Sequence, residues 1–237
     1  MNNSSREASN WMSLSDIMTG LMIVFLFIAI AFMKQQVNQT KKFEEYEELQ
    51  NQLYDDLQKE IAHIDEVELK QDLSIVISEN DFTFESGLST LKPQFEDMLD
   101  RFYRAYLKVL LKNKYRDFIK EVRIEGHTDP ERYKKAESSN PFISNVELSQ
   151  DRARHVLEYL WNTDDFKKIN QADRQILEFW FTANGLSFGR MVDSQGRLVY
   201  EESRAEEKLK PDFDASRRVE FRIVTNAANL IDEYNQK

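Results

Sequence analysis

Four groups of residues carry the chemistry this sequence can offer. Asp16 is an isolated acid at the start of a long apolar run, and at helical spacing it shares a face with Ser13, Thr19 and Gly20. A charged Asp near a bilayer centre costs at least about 2.5–3.5 kcal/mol, so acids kept there usually line a polar pathway. Ser13-Leu14-Ser15-Asp16 also fits a capping box, and spacing alone leaves both readings open. Gly126-His127-Thr128-Asp129 follows an alternating strand pattern, where loops on a rigid scaffold carry binding groups. Asn145-x-x-Leu148-Ser149-x-x-Arg152-Ala153-x-x-Val156 opens a helix, with Asn145 or Ser149 available for capping and Leu148 and Val156 packing inward. Taken locally, Arg152 is a solvated helix arginine, and Ser216-Arg217-Arg218-Val219-Glu220 sets two cations at a solvated edge before a closing strand. Asp129 suits an ammonium and Arg152 a carboxylate, so together they suit a zwitterion such as a free amino-acid end. His127-x-Asp129 hints at a metal, but His63 and His155 fall in distant helical stretches, and no metal or other cofactor is expected. No Gly-x-Ser-x-Gly or comparable nucleophile set occurs, so binding is expected rather than catalysis.

The elements that must position these residues follow from patterning. Residues 17–33 carry no charge, and residues 11–33 make about 35 Å of helix at 1.5 Å per residue, enough for a hydrocarbon core of about 30 Å. Trp11 marks one interface and Lys34 the other. Ala29-Ile30-Ala31 resembles a signal-peptide cleavage site, but Arg6 is balanced by Glu7 and Asp16 lies where basic residues would be needed, so a retained anchor is expected. Phe43, Tyr46, Leu49, Leu53, Leu57, Ile61 and Ile64 then recur at helical steps, as a stalk that packs on its own domain or pairs with a second copy. Strands are expected at 73–78, around Phe82 and Phe84, at 120–125 and at 218–225. Helices are expected at 93–111, 147–161 and 172–179, giving the order β-α-β-α-(α)-β, with long polar loops at 130–144 and 190–214.

Composition removes whole classes. A net charge of −10 disfavours general nucleic-acid binding, and the lack of cysteine excludes disulfides, thiolate metal sites and a Cys nucleophile.

In content and order, the Gly126–Asp129 motif, the Asn145-to-Val156 pattern and the Ser216-to-Glu220 motif resemble the OmpA-like peptidoglycan-binding domain. That resemblance implies that Asp129 and Arg152 bind the zwitterionic end of diaminopimelate, with Asn145 and Arg217 in supporting positions. The chain departs from the pattern in a longer insertion before Asn145, in Ser216 where Asn is usual, and in Ala183-Asn184-Gly185 where Gly-aromatic-Gly is common. The stretch from Trp11 to Thr19 resembles the start of the single span in B subunits of ion-driven stators, the MotB family. This implies a homodimer inside a ring of five MotA-like or ZorA-like subunits, Asp16 as proton carrier, Ser13, Thr19 and Gly20 lining the path, and protons as the transported ion. It also implies an inner-membrane location with the N-terminus cytoplasmic and the C-terminal domain periplasmic, although Lys34, Lys41 and Lys42 taken literally point the other way.

Residues 181–188 and 215–220 resemble the Zorya anti-phage branch more than the flagellar one. A flagellar stator subunit and a passive wall tether are the alternatives. The expected architecture is α/β, an α+β OmpA-like sandwich with one N-terminal transmembrane helix and a helical stalk. Its segments are a cytoplasmic N-terminus at 1–10, a span at 11–33, a stalk at 34–72 and a peptidoglycan-binding domain at 73–237.

Overall fold

Two periodicities build the structure, a computed structural model that describes residues 3–78, 83–84, 87–131, 138–202 and 209–226, with 3–16 and 201–202 as backbone only. No Pro and, after Gly20, no Gly interrupts the helical period, and α1 runs Asn3–Ile61. The chain divides into two units, Met1–Glu48 and Leu49–Lys237, each described by itself.

In the first unit the apolar side chains point outward. Ile17, Met22, Phe25, Phe27 and Phe32 are 60–68% exposed. Ile17–Ile61 contains a stretch of mean hydropathy 2.4 with none of it buried, long and apolar enough to cross a membrane. In water such a surface forgoes about 25 cal/mol per Å² of apolar area, a cost that a hydrocarbon surrounding removes.

In the second unit the end of α1 turns its apolar face inward, where Leu53, Leu57, Ile61 and the following Ile64 are buried. The compact unit therefore begins at Leu49 and takes in residues that patterning assigns to the stalk. Tyr115 donates its hydroxyl to Asp56 Oδ2 at 2.6 Å, and the ammonium groups of Lys112 and Lys114 lie 2.9 and 3.1 Å from the same oxygen.

Strands β1 (Val67–Leu69), β2 (Ser74–Ser78), β3 (Ile119–His127), β4 (Phe181–Gly185) and β5 (Arg218–Thr225) form one sheet of order β1-β2-β5-β3-β4. Only β3 and β4 pair in parallel. The helices are α2 (Pro93–Leu110), α3 (Asn113–Arg116), α4 (Pro141–Asn162), α5 (Asp164–Lys167), α6 (Gln171–Trp180), α7 (Val199–Glu202) and α8 (Phe213–Ser216). The class is mixed α/β, as expected, with β1 and β4 added. Three residues are too few for a period, and Phe-Thr-Ala-Asn-Gly alternates no strong apolar pair.

Helix α2 buries Phe95, Met98, Leu99, Phe102 and Tyr106, and Phe102 meets Phe221 of β5 edge to face at 4.9 Å. Each fully buried side chain of this size contributes roughly 1.5–3 kcal/mol. Helix α4 starts ahead of the expected residue 147, because Asn140 accepts the Phe142 N–H at 2.9 Å and Pro141 supplies a pre-set first turn. Asn145 and Ser149 are therefore interior positions, not caps. Its Gln150 meets the β4 edge, donating Nε2 to the Ala183 carbonyl at 3.0 Å and accepting the Gly185 N–H at 2.8 Å. An edge whose backbone is satisfied in this way offers less to a foreign strand.

Two expected strand or loop features need restating. Phe84 pairs with Leu91 in an isolated bridge, and Phe82 lies outside the described residues. Of the expected loops, 141–144 belongs to α4, and 190–214 contains a Val192–Leu198 bridge, α7 and the start of α8. Residues 132–137 and 203–208 lie outside the described residues.

Candidate functional site

Strand β3 delivers Asp129 two residues beyond its end, where the carboxylate is held at both oxygens. Oδ1 accepts the Glu131 N–H at 2.8 Å, an Asx-type turn that fixes the loop. Oδ2 accepts Arg217 Nη1 at 2.7 Å. The other terminal nitrogen of Arg217 is paired with Asp214. Asn145 donates Nδ2 to the Glu131 carbonyl at 2.8 Å and to the Pro141 carbonyl at 3.0 Å, so it locks the same loop onto the first turn of α4. Asp129, Asn145 and Arg217 thus form one connected group.

Arg152 is tied to a different segment. It is 3% exposed, donates Nε to the Leu88 carbonyl at 3.1 Å, and stacks over the Phe84 ring at 4.8 Å. The local reading of a solvated arginine is overturned by this burial. A guanidinium held by a carbonyl and an aromatic face keeps its planar fork oriented, as carboxylate recognition requires.

Ser187, unmarked by spacing, joins the parts. Its N–H donates to Ser149 Oγ at 3.0 Å, its Oγ to the Phe142 carbonyl at 2.9 Å, and its carbonyl accepts the Thr128 N–H at 3.0 Å. It is fully buried at φ 53°, a left-handed conformation that this bonding sustains in a non-glycine residue. No local sequence signal marks such a position.

The sheet face away from the core is ionic. Glu121, Arg123, Glu125 and His127 alternate along β3, and Arg218, Glu220 and Arg222 along β5. This period-two pattern of charge is the signal that marks the face in the sequence. The register sets Glu125 opposite Glu220 and Arg123 opposite Arg222, like against like. Relief is diagonal and along the strand: Arg222 pairs with Glu125 at 3.5 Å and with Glu220, and Arg218 Nε lies 3.2 Å from Glu220. Arg218 is 5% exposed, so the double arginine is not a solvated edge device.

Within this face His127 is 1% exposed and neither ring nitrogen has a hydrogen-bond partner. Burial first, and then the charges of Arg218, Arg190 and Arg222, pull its pKa well below the ordinary value, so the ring is neutral. Glu125, His127 and Glu220 bring one ligand atom each within 4.8 Å, a spacing that suits a metal ion. The carboxylates are already neutralised, however, with Arg190 3.5 Å from Glu125 in addition to Arg218 and Arg222. A divalent ion would enter a site whose negative charge is taken, and the geometry favours an internal ion-pair cluster.

Of the first group, Thr19 and Gly20 lie on the exposed surface of α1, and a Cβ added at Gly20 would meet nothing within 4 Å, leaving room for another helix to approach. Ser13 and Asp16 belong to α1 by backbone, and their side chains lie outside the described residues.

The OmpA family model matches residues 83–184. Zorya protein ZorB of Escherichia coli is 37% identical over 235 residues, covering 94% of this chain and 90% of that protein. Among solved structures, a MotB-like protein from Desulfovibrio vulgaris aligns at 19% identity and TM-score 0.48, over 77% of this chain and 98% of that one. The cell wall anchor of the T6SS from Pseudomonas aeruginosa aligns at 22% identity and TM-score 0.41, over 71% and 94%. With an OmpA-family match over β3, β4 and the helix that carries Asn145 and Arg152, and identity that runs through almost the whole chain, this protein belongs to the ZorB family of Zorya proteins.

Proposed function

We propose that the chain is the B subunit of a proton-driven stator of the inner membrane that serves anti-phage defence and is anchored to peptidoglycan. The observation that carries this reading is the joining, in one ZorB-family chain, of a helix whose outward-facing apolar run follows Asp16 and an OmpA-family unit with a paired Asp129 and an oriented Arg152. Two copies stand inside a ring of five A-type subunits, with the N-terminus cytoplasmic and the compact unit periplasmic. Protonation of Asp16 neutralises a charge in a narrow helix interface beside Ser13, Thr19 and Gly20 and changes which neighbouring contacts are favourable. Asp129 and Arg152 hold the ammonium and carboxylate of the wall peptide, with Asn145 fastening the Asp129 loop and Arg217 paired to the same carboxylate, so the B pair resists turning.

The deciding experiment is Asp16→Asn in cells challenged with phage, with membrane insertion checked by fractionation. A motor loses the group that must bind and release its proton, so plaque formation should rise to the level of the gene deletion while swimming is unaffected. A passive tether loses nothing when one carboxylate becomes an amide, and full protection by this variant would overturn the proton-carrier role.

A further inference from the structure

We infer that Arg217 is a removable occupant of the Asp129 carboxylate, and that Asp214 takes over Arg217 when a ligand ammonium arrives. The inference rests on the peptidoglycan reading above and adds Asp214 to its site as a positioning residue.

Arg217 lies between two acids in different surroundings. Its Nη1 is 2.7 Å from Asp129 Oδ2, and its Nη2 is paired with Asp214 Oδ1. The Asp129 side chain is 11% exposed and that of Asp214 is 87% exposed. The second oxygen of Asp129 is on the Glu131 N–H, so both oxygens are engaged within the chain. A carboxylate keeps spare lone-pair directions. An ammonium placed at Oδ2, however, would stand beside the guanidinium, two cations at near-contact distance in a mostly dry site.

Asp214 resolves that conflict. It sits three residues before Arg217, in α8, on the solvent side, and already holds the other half of the fork. Arg217 can leave Oδ2 by side-chain rotation and keep a carboxylate partner, with its backbone still fixed at the start of β5. While it holds Oδ2, the same guanidinium spares Asp129 from being an unpaired, nearly buried charge. Ligand affinity is then a difference between two ion pairs, and Arg217 and Asp214 act on it with opposite sign. A residue that merely braced Asp129 would give no such opposition.

The test is co-sedimentation of the full-length protein, in detergent, with isolated sacculi, with free meso-diaminopimelate as competitor and a thermal melt on every variant. Arg217→Gln should bind tighter by about three- to ten-fold, less than one full charge-assisted hydrogen bond because the ligand exchanges one ion pair for another. Asp214→Asn should bind weaker by a similar factor, and the double variant should match Arg217→Gln, because Asp214 acts only through Arg217. If Arg217→Gln melts early, Arg217→Lys serves instead, since an ammonium cannot span both acids with a fork, and it too should tighten binding. Weaker binding by the position-217 variant at wild-type melting temperature makes Arg217 a ligand contact and overturns the exchange. So does unchanged affinity in Asp214→Asn. Asp129→Asn is the separate arm: wild-type binding by that variant sinks the peptidoglycan reading itself, whereas loss of binding there together with weaker binding at 217 sinks only the exchange.

Discussion

Gly126 and Gly185 lie directly opposite each other in the parallel register of β3 and β4, and α4 crosses both at backbone contact. A Cβ on Gly126 would lie 2.2 Å from the Ser149 carbonyl oxygen, and one on Gly185 would lie 2.4 Å from the Gln150 nitrogen. This close approach sets the depth at which the helix carries Asn145 and Arg152 beside the β3 loop. Gly126→Ala or Gly185→Ala must push α4 away. Each should cost about 1–3 kcal/mol or more, because the obstacle is backbone and cannot rotate aside. Denaturant unfolding of the purified protein measures it, and an unchanged midpoint would refute the packing constraint.

Asp129→Ala and Arg152→Ala should each weaken sedimentation with sacculi by about ten- to hundred-fold, the equivalent of about 1.5–3 kcal/mol for one charged hydrogen-bonding partner. Arg152→Ala should also lower the melting temperature, since it uncovers the Phe84 face and leaves the Leu88 carbonyl unpaired. Unchanged binding by both variants would refute the anchoring role.

The neutral His127 makes stability depend on pH. Its folded pKa is well below the ordinary value of about 6.5, so on acidification the unfolded chain takes up the proton first. Stability should therefore fall as pH drops below about 6.5, with a slope of at most about 1.4 kcal/mol per unit from this group. His127→Gln should flatten the profile between pH 6.5 and the carboxylate range at about 4. Denaturation midpoints across that window check it, and an unaltered slope would contradict the burial argument.

Asp56 acts with the same sign in a more acidic window. The Tyr115 hydroxyl bond, aided by Lys112 and Lys114, holds its carboxyl well below the ordinary range. Because the folded pKa is depressed, its contribution is fully present at neutral pH and is lost only as pH falls through the folded value, below about 3.9. Tyr115→Phe should cost roughly 1–3 kcal/mol at pH 7, mainly by removing a donor from a charged acceptor. It should also reduce acid sensitivity below pH 4, as followed by urea midpoints. Equal midpoints for Tyr115→Phe and the parent would remove Asp56 from the list of contacts that fasten the end of α1.

Local rules determined the elements and the order of the motifs. The lack of charge over residues 17–33 makes the outward-facing helix legible, and alternation over 218–225 marks β5 with the bounds it has. Pro93 marked the start of α2, because a missing N–H and a fixed φ act within one turn. The Gly126–Asp129 and Asn145-to-Val156 motifs hold Asp129, Asn145 and Arg152, whereas Ser187 has no such mark.

What only the tertiary structure decided depends on partners remote in the chain. Asp129 and Arg217 are 88 positions apart, and nothing near either one announces their ion pair. Arg152 has the local signature of a surface arginine and is buried where Phe84 and the Leu88 carbonyl meet it. The apolar stripe of residues 49–64 suited a partner copy as well as its own core, since periodicity reports that a face will be covered and not what covers it. β4 became a strand through its parallel register with β3 and the side chain of Gln150, pairings that five weakly apolar residues cannot encode by themselves.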